Sequence, residues 1–187
     1  MATVDELVQG AQGRMGKSVE HARSEFNTVR TGRASAALLD RIEIDYYGTR
    51  TPLKQLATIN VPEPRMLTLQ PFDPSSVKQI EKAIMESDLG LTPSNDGKII
   101  RLPIPQLTEE RRKELVKVAR QMAEDGKVAI RNVRRDVMHH LKELSDKGEV
   151  GSDDEHRAEE RLQKLTDEHT HKIDDLLKRK EDEILEV

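Results

Sequence analysis

The stretch LVKVARQMAEDGKVAIRNVRRDV, residues 115–137, decides the fold predicted for this chain. Its apolar residues recur at steps of three and four, the spacing that places side chains on one face of an α-helix. The same spacing extends from a cap at Thr108 to about residue 147, which predicts a helix about 60 Å long at 1.5 Å per residue. The predicted apolar stripe comprises Leu115, Val118, Met122, Ala129, Val133, Val137, Leu141 and Leu144.

Two further segments have the helical period. The first begins at Thr3 and Glu6, which have the spacing of a capping box, and we expect it to end with Gly32 at its C′ position. The second follows Ser152 and Glu155, which have the same spacing. Because a single apolar stripe does not hold a helix together in water, we expect the three helices to pack against one another.

Between these helices the pattern changes to one of short strands and turns. Seven of the eight prolines lie between residues 62 and 105. We predict an α+β fold, in which residues 1–30 and 106–187 form an elongated antiparallel three-helix bundle and residues 31–105 form an inserted small β/α/β domain. The predicted elements of this domain are strands at 42–46, 58–61, 66–70 and 99–104 and a helix at 74–87.

Composition excludes several classes of function. The chain has no cysteine, which rules out disulfides, thiolate metal sites and a cysteine nucleophile. No apolar run approaches the roughly 18 residues of a membrane span, and the N-terminal residues do not resemble a signal peptide, so we expect a cytoplasmic protein. There is no glycine-rich phosphate loop, and His169 and His171 fall on opposite sides of a helix. We therefore expect no enzyme activity, no cofactor and no metal.

The long helix is predicted to expose a basic face. Lys127, Arg131, Arg134 and Arg135 lie in a stretch without acidic residues and fall within about 60° of Arg131 on a helical wheel. Arginine suits phosphate because its planar fork can donate two hydrogen bonds to neighbouring oxygens. The pattern alone leaves two interpretations open, a solvated charged surface and a nucleic-acid contact. The basic face as a whole comprises Lys113, Lys117, Arg120, Lys127, Arg131, Arg134, Arg135 and Lys142.

Gly126 is unusual in this helix, because glycine costs a helix interior about 1 kcal/mol relative to alanine. It lies on the apolar side of the predicted wheel. Either a close approach of two helices or a bend would explain it.

A series of segments resembles the ribosome recycling factor family along essentially the whole chain. They are RTGRAS (30–35), LLD (38–40), YYG (46–48), TPL (51–53), EKAI (81–84), SDLGL (87–91), LTEERRK (107–113), VAIRNVRRD (128–136) and QKLTD (163–167). The resemblance implies an L-shaped molecule with a three-helix bundle and a β/α/β domain. It also implies a protein that binds the ribosome after termination.

The resemblance further implies a mechanism and its residues. With elongation factor G, which hydrolyses GTP, such a protein separates the ribosomal subunits and frees mRNA and tRNA. The large-subunit RNA contact carries over to Arg131, Arg134 and Arg135, and also to Lys127. We expect a monomer with no membrane contact. A coiled-coil adaptor or chaperone is the alternative, and a nucleotidase is a third class that a GTP turnover assay would exclude.

Two chain crossings join the predicted domains, near residues 30–34 and 102–107. Arg30, Gly32 and Arg33 match the family's segment beside its hinge, although the simpler interpretation is a helix end. Pro103 and Pro105 mark the second crossing. We predict that this double connection acts as a hinge.

Overall fold

The structure, a computed structural model, describes residues 3–186, so residues 1, 2 and 187 of the predicted domain ranges lie outside it. It divides into two compact units. The helical unit comprises the described residues up to Arg30 together with those from Glu109 onward, and the sheet unit comprises Thr31–Thr108. Residues 106–108, which were predicted to belong to the helices, thus group with the sheet unit. The described α-helices are α1 Val4–Asn27, α2 Val77–Glu86, α3 Glu109–Asp146 and α4 Ser152–Leu185.

The start of α1 confirms one predicted cap, whereas its end corrects another. The backbone N–H of Glu6 donates to Thr3 Oγ1 at 3.2 Å, and the N–H of Thr3 donates to Glu6 Oε2 at 2.8 Å, which completes the capping box. The helix ends at Asn27, where the Thr28 N–H bonds to the carbonyls of Glu25 and Phe26. Gly32 has a φ of +75°, but it lies in the connecting segment and is not the C′ residue of α1.

The predicted capping box at Ser152 is wrong. Gly151 is the N-cap of α4, and the N–H of Glu155 bonds to the Gly151 carbonyl at 2.9 Å. Ser152 is therefore already helical, and its hydroxyl does not cap the helix. The acidic residues Asp153, Asp154 and Glu155 lie in the first turn, where the helix dipole favours negative charge.

Side-chain contacts fix the directions of the three long helices. Position 14 of α1 contacts position 136 of α3 and position 22 contacts position 126, while positions 120 and 134 of α3 contact positions 181 and 163 of α4, so α3 runs antiparallel to both neighbours. The bundle core contains Val8, Ala11, Met15, Val19, Ala22, Phe26, Leu115, Ala119, Ala123, Ile130, Val133, Val137, Leu141, Ala158, Leu162, Ile173 and Ile184.

The buried stripe of α3 is rotated from the predicted one. Val118, predicted to be buried, is 43% exposed, whereas Ala119, Ala123 and Ile130 are buried. On the wheel the stripe centre moves by about 40°, toward the side that carries Lys127. The cause is the position of α1 and α4, which cover the side of α3 that carries Ala119, Ala123 and Ile130 and leave Val118 outside.

Gly126 lies where all three long helices approach one another. A Cβ atom at this position would stand 2.8 Å from Ile173 Cδ1 of α4 and 3.3 Å from Ala22 Cβ of α1. Helix α3 continues through this position without interruption. Close approach, one of the two explanations considered for Gly126, therefore accounts for it.

The sheet unit contains two antiparallel sheets. Strands β1 and β2 form a hairpin, and the other four strands form a sheet in the order β3-β4-β6-β5. The short strands β2 and β5 were not predicted, and β3 continues through Pro62, with a register shift between Asn60 and Glu63. The strands are β1 Glu43–Tyr46, β2 Thr49–Pro52, β3 Ala57–Glu63, β4 Met66–Pro71, β5 Ser94–Asn95 and β6 Ile100–Pro103.

Polar contacts at turns tie this unit together. Tyr47 and Gly48 both have positive φ, 51° and 80°, as the tight turn between β1 and β2 requires. The Tyr46 hydroxyl donates to Asp73 Oδ2 at 3.0 Å, and Asp73 Oδ1 accepts from the N–H of Ser75 at 2.9 Å. Bonds from Ser75 and then Tyr46 lower the pKa of Asp73 below its ordinary value of 3.8. The core between these elements includes Leu39, Ile44, Leu53, Leu67, Leu69, Ile80, Ile84, Ile100 and Leu102.

Within the sheet unit, the two predicted crossings lie side by side. A Cβ atom on Gly32 would stand 3.2 Å from Leu107 Cγ. Both crossings are also anchored to the turn between β3 and β4. The Ala34 N–H donates to the Pro64 carbonyl at 2.7 Å, and the Ile104 N–H donates to the Arg65 carbonyl at 2.8 Å.

Candidate nucleic-acid interface

The packing of α3 divides the predicted basic face into two sets of cations. Because α4 covers one flank of the buried stripe, residues at the near edge of the basic face meet α4, whereas the others project away from the bundle. The set at the α3–α4 seam comprises Arg120, Lys127 and Arg134. The outward set comprises Lys113, Lys117, Arg131, Arg135 and Lys142, all of which are exposed.

Two of the three seam cations are neutralised by carboxylates of α4. Arg120 Nε lies 2.7 Å from Glu181 Oε1. Lys127 pairs with Asp174, and its side chain is only 20% exposed. The sequence predicts Lys127 as an RNA ligand beside the arginines, but in the structure this amino group is largely covered and already paired. We therefore expect Lys127 to contribute less than its neighbours.

The three arginines at 131, 134 and 135, here called the arginine cluster, have no such strong neutralisation. Arg131 Nη1 lies 3.1 Å from Glu124 Oε1, an exposed pair of a kind that stabilises little and exchanges readily. Arg134 donates from Nη1 to the neutral amide oxygen of Gln163 at 2.6 Å. Arg135 is exposed and forms no hydrogen bond or ion pair within residues 3–186.

The acidic residues at either end of this stretch are engaged elsewhere. Asp136 Oδ2 accepts from Arg14 Nη2 of α1 at 2.9 Å, and Asp125 Oδ1 accepts from Gln121 Nε2, also at 2.9 Å. The carboxylate of Asp136 is thus held by a cation of another helix and does not neutralise the arginine cluster. The local potential therefore stays positive, although the chain has a net charge of −4.

Sequence reasoning missed two neighbours of the arginine cluster. Val128, 44% exposed, and the exposed Asn132 both lie on the outward side of α3, among the cluster residues. An amide and a small apolar group beside arginines can contact sugars and base edges, while the arginines hold phosphates. Both residues fall within about 100° of Arg131 on the wheel, but the predicted face was defined by its basic residues alone.

The structure offers little for other kinds of site. Among residues 3–186, no group of three His, Cys, Asp or Glu side chains is placed to hold a metal ion. His169 is buried, with Nδ1 2.6 Å from the Leu165 carbonyl, whereas the side chain of His171 is 75% exposed. The prediction that these two rings diverge is confirmed. In the described part of the chain, no helix has the length and hydropathy needed to cross a membrane.

Comparisons with known proteins agree on one family. Residues 22–185 match the family model of the ribosome recycling factor. A ribosome-recycling factor of Rubrobacter xylanophilus is 58% identical, with 95% of each chain covered. One of Alkaliphilus metalliredigens is 53% identical, with 97% of this chain and 98% of the relative covered.

Two solved structures are also similar. A solution structure of a ribosome recycling factor matches with a TM-score of 0.77 and 42% identity, and all of both chains is covered. The second matches with a TM-score of 0.65 and 47% identity, over 98% of this chain and 100% of that one. It gives models for the T. thermophilus ribosome recycling factor and the E. coli elongation factor G bound to the E. coli post-termination complex.

Proposed function

The chain belongs to the ribosome recycling factor family, and we propose that its arginine cluster binds phosphates of large-subunit ribosomal RNA. Its role is ribosome recycling, in which it acts on the post-termination ribosome together with elongation factor G. In the finer steps of the proposal, GTP hydrolysis by elongation factor G drives the subunits apart, and mRNA and tRNA are released. The proposed location is the cytoplasm, where bacterial ribosomes work.

The observation that carries the RNA contact is the charge of the arginine cluster, in which, among the described residues, only Arg131 pairs with a carboxylate, and that pair is exposed. Arg135 has no partner within residues 3–186, Arg134 has a neutral one, and Arg131 has a weak surface pair. Each guanidinium therefore has N–H groups available for phosphate oxygens. The chain has only two tyrosines, two phenylalanines and no tryptophan, which favours phosphate and shape recognition over base stacking.

Replacing Arg131 and Arg134 together with alanine should weaken binding to isolated large subunits on the order of a hundredfold, since two charge-assisted contacts are lost. Circular dichroism should show unchanged helix content. The matched control replaces Arg157 and Arg179, two exposed arginines of α4, and should bind normally. Equal affinity of the two double variants would refute the assignment.

We propose that the two crossings form a hinge, supported by the absence of helix at Gly32 and Pro105, close to the points at which the chain passes from one unit to the other. Arg30, Arg33 and Pro103 flank these positions. Pro105→Gly, which loosens the second crossing, should leave ribosome binding intact but reduce recycling with elongation factor G. Unchanged recycling would contradict the hinge.

We propose that the chain itself performs no chemical step and that its partner supplies the hydrolysis. A GTP turnover assay on the protein alone should give no rate above the buffer background. The coiled-coil adaptor is the weaker candidate, because the stripes of α1, α3 and α4 are buried against one another within one chain. Sedimentation should therefore show a monomer, whereas an adaptor would self-associate through exposed stripes.

A further inference from the structure

Among the described residues, three polar contacts along the middle of the α3–α4 seam differ in charge. In two of them a carboxylate of α4 meets a cation of α3, at Arg120–Glu181 and at Lys127–Asp174. In the third, Arg134 meets Gln163, whose side chain is neutral. Arg134 is the seam residue that also belongs to the arginine cluster, and its partner carries no charge.

The orientation of the Gln163 side chain follows from its two neighbours. Its Oε1 accepts from Arg134 Nη1 at 2.6 Å, and its Nε2 donates to Asp167 Oδ1 at 2.8 Å. A guanidinium only donates and an ionised carboxylate only accepts, so the amide has one arrangement that satisfies both. Asp167, one turn further along α4, thereby fixes the amide that holds the arginine.

Whether position 163 carries an amide or a carboxylate should strongly affect how well Arg134 can bind phosphate. A carboxylate beside Arg134 would form a charge-assisted, often bidentate pair, and phosphate would have to displace it. An amide oxygen uses one N–H of the five that a guanidinium carries and cancels none of its charge. Arg134 is therefore held in position while most of its donors and its full charge remain available.

We infer that Gln163 is a positioning residue for RNA binding, which fixes Arg134 without neutralising it, and that Asp167 orients Gln163 from behind. This inference rests on the proposed function of the arginine cluster. The segment QKLTD, residues 163–167, contributes to the family resemblance, and the arrangement gives its first and last residues a role. The ligand is the phosphate backbone of large-subunit RNA.

The decisive variant is Gln163→Glu, which changes one amide to a carboxylate of nearly the same shape. We expect affinity for large ribosomal subunits to fall about tenfold, the effect of one charge-assisted contact. The melting temperature should change little, because the new ion pair with Arg134 offsets the repulsion between the new carboxylate and Asp167, so misfolding would not explain the loss. The control is Gln12→Glu at an exposed position of α1, which adds the same charge and should bind normally.

A second variant separates position from net charge. Gln163→Glu combined with Asp167→Asn keeps the total charge and only moves the carboxylate next to Arg134. We expect the same loss of about tenfold. Wild-type affinity in this double variant would overturn the inference, since only the overall charge of α4 would then matter.

A double-mutant cycle with Arg134→Ala separates the proposed RNA contact of Arg134 from the positioning role of Gln163. Once Arg134 is gone, Gln163→Glu should cost little further affinity, and the slope of log affinity against log salt should already be reduced by about 0.7–0.9. If Arg134→Ala itself has no effect, the proposed RNA contact fails. If it weakens binding but the effects of the two changes simply add, only the role of Gln163 fails.

Discussion

The helical unit and the sheet unit hold their structure in different ways. In the helical unit, long stripes of apolar side chains are buried where three helices meet, and α1 and α4 approach α3 closely at Gly126, a residue with no side chain. In the sheet unit, short strands surround a compact core, and hydrogen bonds at turns fix the loops. In the helical unit, the outward side of α3 is left for charged side chains. In the sheet unit, the hydrogen-bonded polar groups lie at particular turns.

The largest effect should come from filling the space at Gly126. Gly126→Leu places a side chain where Ala22 Cβ and Ile173 Cδ1 already lie, and overpacking of this kind should cost about 3 kcal/mol. Chemical denaturation followed by circular dichroism at 222 nm measures it. Gly13→Leu is the control, because a Cβ atom there meets nothing within 4 Å. This change should stabilise α1 by about 0.8 kcal/mol. Equal effects at the two glycines would contradict the close approach.

A smaller effect is expected in the sheet unit, which should lose stability at acidic pH. Hydrogen bonds from Ser75 and Tyr46 lower the pKa of Asp73, and backbone N–H groups of Ile99 and Lys98 lower that of Asp96. A carboxyl whose pKa is lowered on folding stabilises the fold above its ordinary value of 3.8, and this contribution is lost as the pH falls through the folded value. The protection factors of amides in the sheet unit, which are corrected for the intrinsic exchange rate at each pH, should therefore fall below about pH 4.

The variants Asp73→Asn and Asp96→Asn provide the test of that assignment. Each variant should make the protection of amides in the sheet unit less dependent on pH in this range, because the titrating carboxyl is gone. Tyr46→Phe should have a weaker influence than Ser75→Ala, since the hydroxyl of Ser75, which donates to Asp73 Oδ1 at 2.7 Å, is the largest cause of the lowered pKa of Asp73. If both asparagine variants retained the wild-type pH profile, Asp73 and Asp96 would not cause the loss of stability at low pH.

Helical periodicity predicted the three long helices and the basic face of α3, because burial of a stripe leaves a regular mark in sequence. It did not predict which flank of the stripe would be covered, since that depends on where α1 and α4 lie. For this reason Val118, which is predicted to be buried, is exposed, and the pairing of Lys127 with Asp174 was not predicted.

Short sequence patterns predicted some helix caps and strands correctly and others wrongly, because packing and pairing also decide them. The Thr3–Glu6 and Ser152–Glu155 segments have the same spacing, but only the first forms a capping box, because α4 begins with Gly151 as its cap. The short strands β2 and β5 have little apolar alternation and are held by pairing with β1 and β6. The contact between Arg134 and Gln163 joins residues 29 apart and depends on helix packing, which sequence periodicity does not encode.

The most direct measurement of the central claim is the salt dependence of binding to large ribosomal subunits. Phosphate contacts release counterions, so log affinity should fall linearly with log salt for the wild-type chain. In the double variant with alanine at 131 and 134, the slope should be smaller by about 1.4–1.8, that is, by two phosphate contacts. A slope identical to that of the wild type would contradict the claim that the arginine cluster binds ribosomal RNA.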